Sequence, residues 1–120
     1  MYDEAKVRIE SAIVTKHIPL RQRSWGIKIK DGRWVLEEPI LGCCALGVVL
    51  AEEPVTGYFM VVPTLTHLLN VPEAWIKAVE LGFDNVDPTV AKVGFVAGTD
   101  GYDFGVYLRR KYLLKDGETR

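Results

Sequence analysis

The sequence predicts an α+β fold: a helix-rich single domain over residues 1–120, with a small antiparallel sheet built on a β-hairpin at about 24–38 and a buried central helix at about 41–52. Three observations lead there. The dipeptide Asp31-Gly32 separates two alternating segments, Ser24–Lys30 and Arg33–Glu38. An uncharged apolar run, Ile40 to Ala51, follows Pro39 directly. The remaining segments carry apolar residues at helical spacing between proline, glycine and acidic punctuation. With 120 residues, 48% hydrophobic and 26% charged, the chain can hide roughly two-thirds of its unfolded surface without a disulfide or a metal.

Taken in order, Tyr2 to about Lys16 reads as a helix. Val7, Ile13 and Val14, with Ala5 and Ala12, sketch its apolar stripe, Asp3 and Glu4 suit the positive end of its dipole, and Pro19 closes it. In the hairpin, Asp-Gly supplies both positive-φ positions of a type I′ turn. That turn sets Ile29 opposite Trp34 and Ile27 opposite Leu36, four large apolar side chains on one face, with Lys28 and Val35 on the other. A slip of one residue would turn this face to solvent, so the register is firm. The next segment, 41–52, is apolar all round, which means a buried helix. Its Gly42 and Gly47 each cost up to about 1 kcal/mol relative to alanine, a cost that close approach of another backbone would explain.

Tyr58–Val62 reads as a short strand and Thr64–Leu69 as a short helix after Pro63. Asn70-Val71-Pro72-Glu73 opens another helix with Pro72 at its first position and Trp75, Ile76, Val79 and Leu81 on its apolar face. Gly82 is the expected left-handed residue after that helix, with Phe83 as the contact that follows. Asp84 to Pro88 is a turn, Val90–Ala97 a strand or a helical turn, and Thr99-Asp100-Gly101 a turn or cap. Asp103–Leu114 forms the last helix, with Phe104, Tyr107, Leu108 and Tyr112 as its stripe and Arg109, Arg110 and Lys111 at its C-terminal end.

Charge is segregated along the chain although the net is -1. Residues 1–36 carry eight basic and four acidic residues, 37–103 carry two and ten, and 104–120 carry five and two. Folding of the basic ends onto the acidic middle accounts for this pattern better than a charged tail, because no like-charge block is long enough to be one. The first ten residues, MYDEAKVRIE, are charged from the third onward and do not read as a secretory signal. No apolar run approaches the roughly 20 residues of a membrane span. A cytoplasmic protein without a cofactor is the expectation.

The adjacent Cys43 and Cys44 are the first candidates for chemistry. Neighbouring cysteines resist pairing with each other, and no CxxC or Cys/His cluster points to zinc. At the start of a helix a thiol can ionise and act as a nucleophile. A thiol enzyme would use Cys43 or Cys44, with His67 or His17 as base and Asn70 or Asp84 as orienting group. Against this, cysteine is a commonly buried small hydrophobe, and Ala45, Leu46, Val48 and Val49 around it look like core. His67, among Leu65, Leu68 and Leu69, reads as a structural histidine. Asp84, Asp87, Asp100 and Asp103 lack the spacing of a calcium loop and read as turns and caps. A second candidate surface is the hairpin and its approach, where Arg21, Arg23, Lys28, Lys30 and Arg33 alternate with Trp25 and Trp34, as in proteins that stack bases. The register turns Trp34 inward, which favours ordinary solvated charges over a nucleic-acid interface.

Three pieces carry a resemblance: Cys43-Cys44-Ala45-Leu46-Gly47-Val48 after the hairpin; Val71-Pro72-Glu73-Ala74-Trp75 leading to Gly82-Phe83-Asp84-Asn85; and Gly101-Tyr102 with Gly105 and Arg109. Together they resemble small uncharacterised proteins of bacteria and phages that share a Cys-Cys-Leu-Gly-Val type of motif. The resemblance spans about half the chain. It implies an accessory intracellular protein and assigns no catalytic residue. The expectation is therefore a non-catalytic binding or regulatory module acting through protein contacts, with a protein partner or a second copy as its counterpart. A cysteine-dependent enzyme and a nucleic-acid-binding hairpin are the alternatives.

Overall fold

Five α-helices and one hairpin appear in a computed structural model that describes residues 1–87, 89 and 96–113. They are α1 (Asp3–Lys16), β1 (Ile27–Lys30), β2 (Arg33–Leu36), α2 (Ala45–Leu50), α3 (Val61–Leu69), α4 (Glu73–Phe83) and α5 (Val96–Leu108), which runs into a π-helical turn at Arg109–Leu113. No helix among the described residues is long and apolar enough to cross a membrane.

The hairpin has the predicted register, with Ile27 opposite Leu36 and Ile29 opposite Trp34. Asp31 and Gly32 hold φ values of 53° and 75°, the left-handed pair that a type I′ turn requires. Only part of its apolar face is covered. Ile27 and Trp34 are buried, whereas Ile29 near the turn is exposed. The chain after α2 extends the sheet beyond β2: Trp34 donates its amide to Glu53 O at 2.9 Å and accepts from Glu52 N at 2.7 Å.

In α1 the buried stripe is Ala5, Ile9, Ala12 and Ile13, a helical i, i+4, i+7, i+8 series. Val7 and Val14 were expected in that stripe but lie outside it and are exposed. The two alanines carry the seam because they let α1 sit close to its neighbours. The central helix is shorter than the predicted 41–52. Residues 41–44 are not helical, since Cys43 bridges Leu20 in parallel, with its amide donating to Pro19 O at 2.9 Å. Gly47 lies where α2 meets the loop before β1, and a Cβ there would run into Trp25 O.

Tyr58–Val62 is not a strand. Residues 57–60 form an exposed bend, and α3 begins at Val61 with Pro63 inside its first turn, where a missing amide is harmless. The helix at 73 starts one residue later than Pro72, which is its N-cap, and Asn70 serves instead as the left-handed C-cap of α3. Gly82 is not a left-handed terminus. It lies within α4, and a Cβ there would meet Tyr102 O of α5. The left-handed residue is Asn85, with φ 62°. Thr99-Asp100-Gly101 is likewise interior to α5, which starts at Val96 rather than Asp103. Of the predicted element at 90–97, residues 90–95 lie outside the described residues and 96–97 are helical.

The core runs from Ile9 through Leu46, Val48, Leu50 and Leu65 to Trp75, Ile76, Val79, Phe83 and Leu108. Trp75 ties its two halves together. Its ring meets Tyr2 edge-on at 5.7 Å and stacks with Phe104 at 5.8 Å. Its Nε1 donates to Asp100 at 2.8 Å, and Asp100 also takes Lys6 of α1 at 3.0 Å. The segregated charges thus partly meet across the fold. Lys6 reaches Asp100 and Lys16 reaches Glu53 at 3.2 Å, while Lys111 turns to Glu10 of α1 at 3.1 Å.

Candidate functional site

Two regions compete for function: the cysteine pair and a groove between α1 and α3. The cysteines are both free and buried. Cys44 is the N-cap of α2, and its Sγ accepts the amide of Gly47 at 3.4 Å. The sulfur thus takes the place that a serine or aspartate oxygen fills at other helix starts. Cys43 has a different partner, its Sγ lying 3.7 Å from Gly26 O. Burial pushes the Cys44 thiol up to about 12. The amides of Gly47 and Leu46 oppose that, and the charges of Asp84 and Glu80 add to it. Burial likewise pushes Cys43 up to about 11, against the opposing pull of Arg21 and Lys16 and with Glu37 adding to it. The position of Cys44 at the start of α2 does not lower its pKa, because a six-residue helix has a small dipole and desolvation exceeds it. Both sulfurs therefore rest as neutral thiols, the weakly nucleophilic form.

None of the bases and orienting groups that a thiol enzyme would use hydrogen-bonds either sulfur. His67 is exposed on α3, its ring packed on Tyr58 with centroids 5.3 Å apart, and it lines the groove. His17 is the left-handed C-cap of α1, and Asn70 caps α3. Asp84 is buried and accepts the Arg23 amide at 2.8 Å, while Gln22 donates to Phe83 O at 2.8 Å. Together these bonds hold the loop before the hairpin on the end of α4. Burial raises the pKa of Asp84 and of Glu80 one turn earlier, and each is further influenced by its charged neighbours. No group of three metal-ligating side chains forms among the described residues.

The basic candidates separate into two sets. Arg21 is half-buried and donates to Ser24 Oγ at 2.6 Å, and Arg23 is fixed through its amide. Lys28, Lys30 and Arg33 share the outer face of the hairpin, and Arg33 also donates to Glu52 O at 2.9 Å. Trp25 is half-buried and Trp34 is buried. Neither tryptophan presents an open ring beside the cations.

The groove was not legible in the sequence. It measures about 420 Å³ and is walled by α1, α3 and the chain leaving α2. Val7, Ala12, Val49, Leu50, Pro54 and Leu68 line its apolar part. Arg8 spans it, donating to Leu68 O at 2.6 Å. Lys16 closes one end by capping α2, with Nζ 3.0, 2.9 and 2.7 Å from the carbonyls of Val48, Val49 and Ala51, groups that a helix end otherwise leaves unsatisfied. The bend at 57–60 stands beside the groove. Thr64 Oγ1 holds it by bonds to Tyr58 O at 3.3 Å and Met60 O at 2.6 Å. Phe59 and Met60 are 73% and 70% exposed there. Their one advance sign was a run of large apolar residues with no matching alternation.

Comparison of this chain with protein-family models, with curated proteins and with solved structures finds no match.

Proposed function

We propose that the chain is a non-catalytic binding module that acts through protein contacts, and that its contact surface is the α1–α3 groove with the Tyr58-Phe59-Met60 bend beside it. The observation that supports this most strongly is the exposure of three consecutive large side chains in a bend anchored by Thr64. Apolar surface left in water forgoes roughly 25 cal/mol per Å². An aromatic ring beside an adaptable methionine is the composition of interface anchors. The groove has room for apolar side chains from a partner segment, and Arg8, Glu53 and His67 give it a polar rim. The thiol-enzyme reading has less support, since both thiols are buried and neutral and His67 belongs to the other region.

Selection of peptides from a random library on the immobilised protein tests this reading. The expected result is an apolar consensus whose binding falls by about tenfold or more, equivalent to about 1.4 kcal/mol, in the Phe59→Ser/Met60→Ser variant. That variant keeps its melting temperature, because exposed substitutions of this kind change stability by only about 0.5 kcal/mol. No enrichment, or peptides that bind the variant equally well, would contradict the proposal. Reversible mass doubling abolished by the same two substitutions would place a second copy in the groove.

A further inference from the structure

The open edge of the hairpin carries a second inference. In an antiparallel ladder, residues directly opposite each other alternate between pairs that exchange hydrogen bonds and pairs whose backbone groups point away. Ile29 lies opposite Trp34, and Trp34 directs its amide and carbonyl outward to Glu53 and Glu52. Ile29 must therefore direct its own N–H and C=O to the other edge, and Ile27, two residues earlier, does the same. Among the described residues no group pairs with any of these four. Before Ile27 the edge is covered: Cys44 N bonds Ser24 O at 2.8 Å, and a Cβ on Gly26 would strike Gly42 O. The open stretch is thus β1 itself, where Lys28, Ile29 and Lys30 are exposed in a row.

We propose that the open edge of β1 is a strand-addition site for an extended acidic segment of a partner protein, which hydrogen-bonds the main chain of Ile27 and Ile29 and sets carboxylates against Lys28 and Lys30. This rests on reading the chain as a protein-binding module but uses a surface other than the groove. Strand addition draws affinity from main-chain bonds and specificity from alternate side chains. Here the alternate positions are two lysines on one face, which form no ion pair among the described residues, and Ile29 on the other, 37% exposed. Arg33, opposite Lys30, adds to the cationic face, while Asp31 at the turn and Glu37 opposite Gly26 bracket it.

Charge decides between occupants. A second copy paired by a twofold axis at Lys28 would set Lys28 against Lys28, and an axis at Ile29 would set Lys28 against Lys30. Like charges directly opposite destabilise a sheet. An axis at Ile27 would run the second strand along Ser24 to Gly26, where the chain at 42–44 already lies. The lysines that protect the edge from self-pairing therefore admit an acidic strand. A DNA backbone can accept from the two N–H groups but has nothing to donate to the two carbonyls, and neither tryptophan offers an open face for stacking.

The probe is a synthetic heptapeptide, acetyl-Thr-Glu-Val-Glu-Val-Glu-Thr-amide, with a lysine-for-glutamate version and a short oligothymidylate as comparators. Amide exchange of the full chain is read residue by residue. The expected result is that saturating acidic peptide slows exchange at Ile29 by about tenfold or more, that the lysine peptide does not, and that the Lys28→Glu/Lys30→Glu variant reverses this preference. The Phe59→Ser/Met60→Ser variant binds the acidic peptide as the wild type does, so loss of the groove reading leaves this one testable. Ile29→Pro, which removes the outward amide together with the isoleucine side chain but none of the hydrogen bonds between β1 and β2, weakens binding while the hairpin persists. Unchanged exchange at Ile29 under saturation, or indifference to charge reversal, would overturn the proposal. So would oligothymidylate protecting the same amides more tightly than the peptide, or protection that appears with protein concentration alone.

Discussion

Trp75→Ala lowers stability by about 4 kcal/mol, in the upper part of the range for deleting a buried aromatic, and the melting temperature falls by roughly 15 °C. Trp75 is fully buried in α4 and ties it to α5 and to α1: it meets Tyr2 just before α1, Phe104 in α5 and, through Asp100 of α5, Lys6 in α1. Trp75→Phe separates the ring from its donor. Burial acts to raise the Asp100 carboxyl, yet the hydrogen bonds from Trp75 and Lys6 more than offset it and hold its pKa below the ordinary 3.8. A depressed carboxyl contributes stability above its unfolded pKa and loses it as pH falls through the folded value. The part of the Trp75→Phe deficit that comes from the lost bond to Asp100 is therefore present at neutral pH and shrinks as pH falls below 3.8. Thermal denaturation at several pH values checks both substitutions, and a Trp75→Ala protein that melts within a few degrees of wild type would refute the central role given to this residue.

Gly105→Ala is the second large effect, and its sign is the informative part. Within a helix, alanine is favoured over glycine by about 1 kcal/mol, so propensity alone predicts a more stable protein. The packing predicts the reverse. A Cβ on Gly105 would run into Val79 O and lie 2.8 Å from Phe83 N, both main-chain atoms of α4. Backbone cannot rotate aside as a side chain can, so α4 and α5 must separate. Overpacking of this kind costs about 3 kcal/mol, which leaves a net loss of about 2 kcal/mol after the gain in propensity. Urea unfolding measures the difference, and a stabilised Gly105→Ala protein would contradict the close α4–α5 contact.

The same glycines show which parts of the fold are readable from sequence. The hairpin register was legible because Asp31-Gly32 and the strand alternation are local and agree. Gly82 and Gly101 misled because a glycine looks the same whether it supplies a left-handed end or admits a neighbouring backbone, and only the packed helix separates the two. In α1 the stripe held at Ala5, Ala12 and Ile13, whereas Val7 and Val14 face solvent and Ile9, flanked by charged residues, completes the buried face. The Tyr58-Phe59-Met60 run had the composition of a strand, but among the described residues no strand lies beside it to pair with. Burial of Cys43 and Cys44 followed from their apolar surroundings, yet the capping bond from Gly47 to Cys44 needed the start of α2 to be placed to the residue. The groove is a product of three helices meeting and has no local signature.

The reading of this chain as a binding module stands on the cysteine pair serving architecture rather than chemistry. Competition labelling of the native protein with a thiol reagent at neutral pH, repeated after denaturation, tests that directly. With thiol pKa values pushed up to about 11 at Cys43 and about 12 at Cys44, and with both sulfurs buried, native labelling is expected to be slower than labelling of the unfolded chain by about a hundredfold or more. Native labelling of either cysteine faster than in the denatured chain would mean that the fold stabilises its thiolate. If that excess also disappeared in a His67→Ala variant, the module would have to give way to a thiol enzyme.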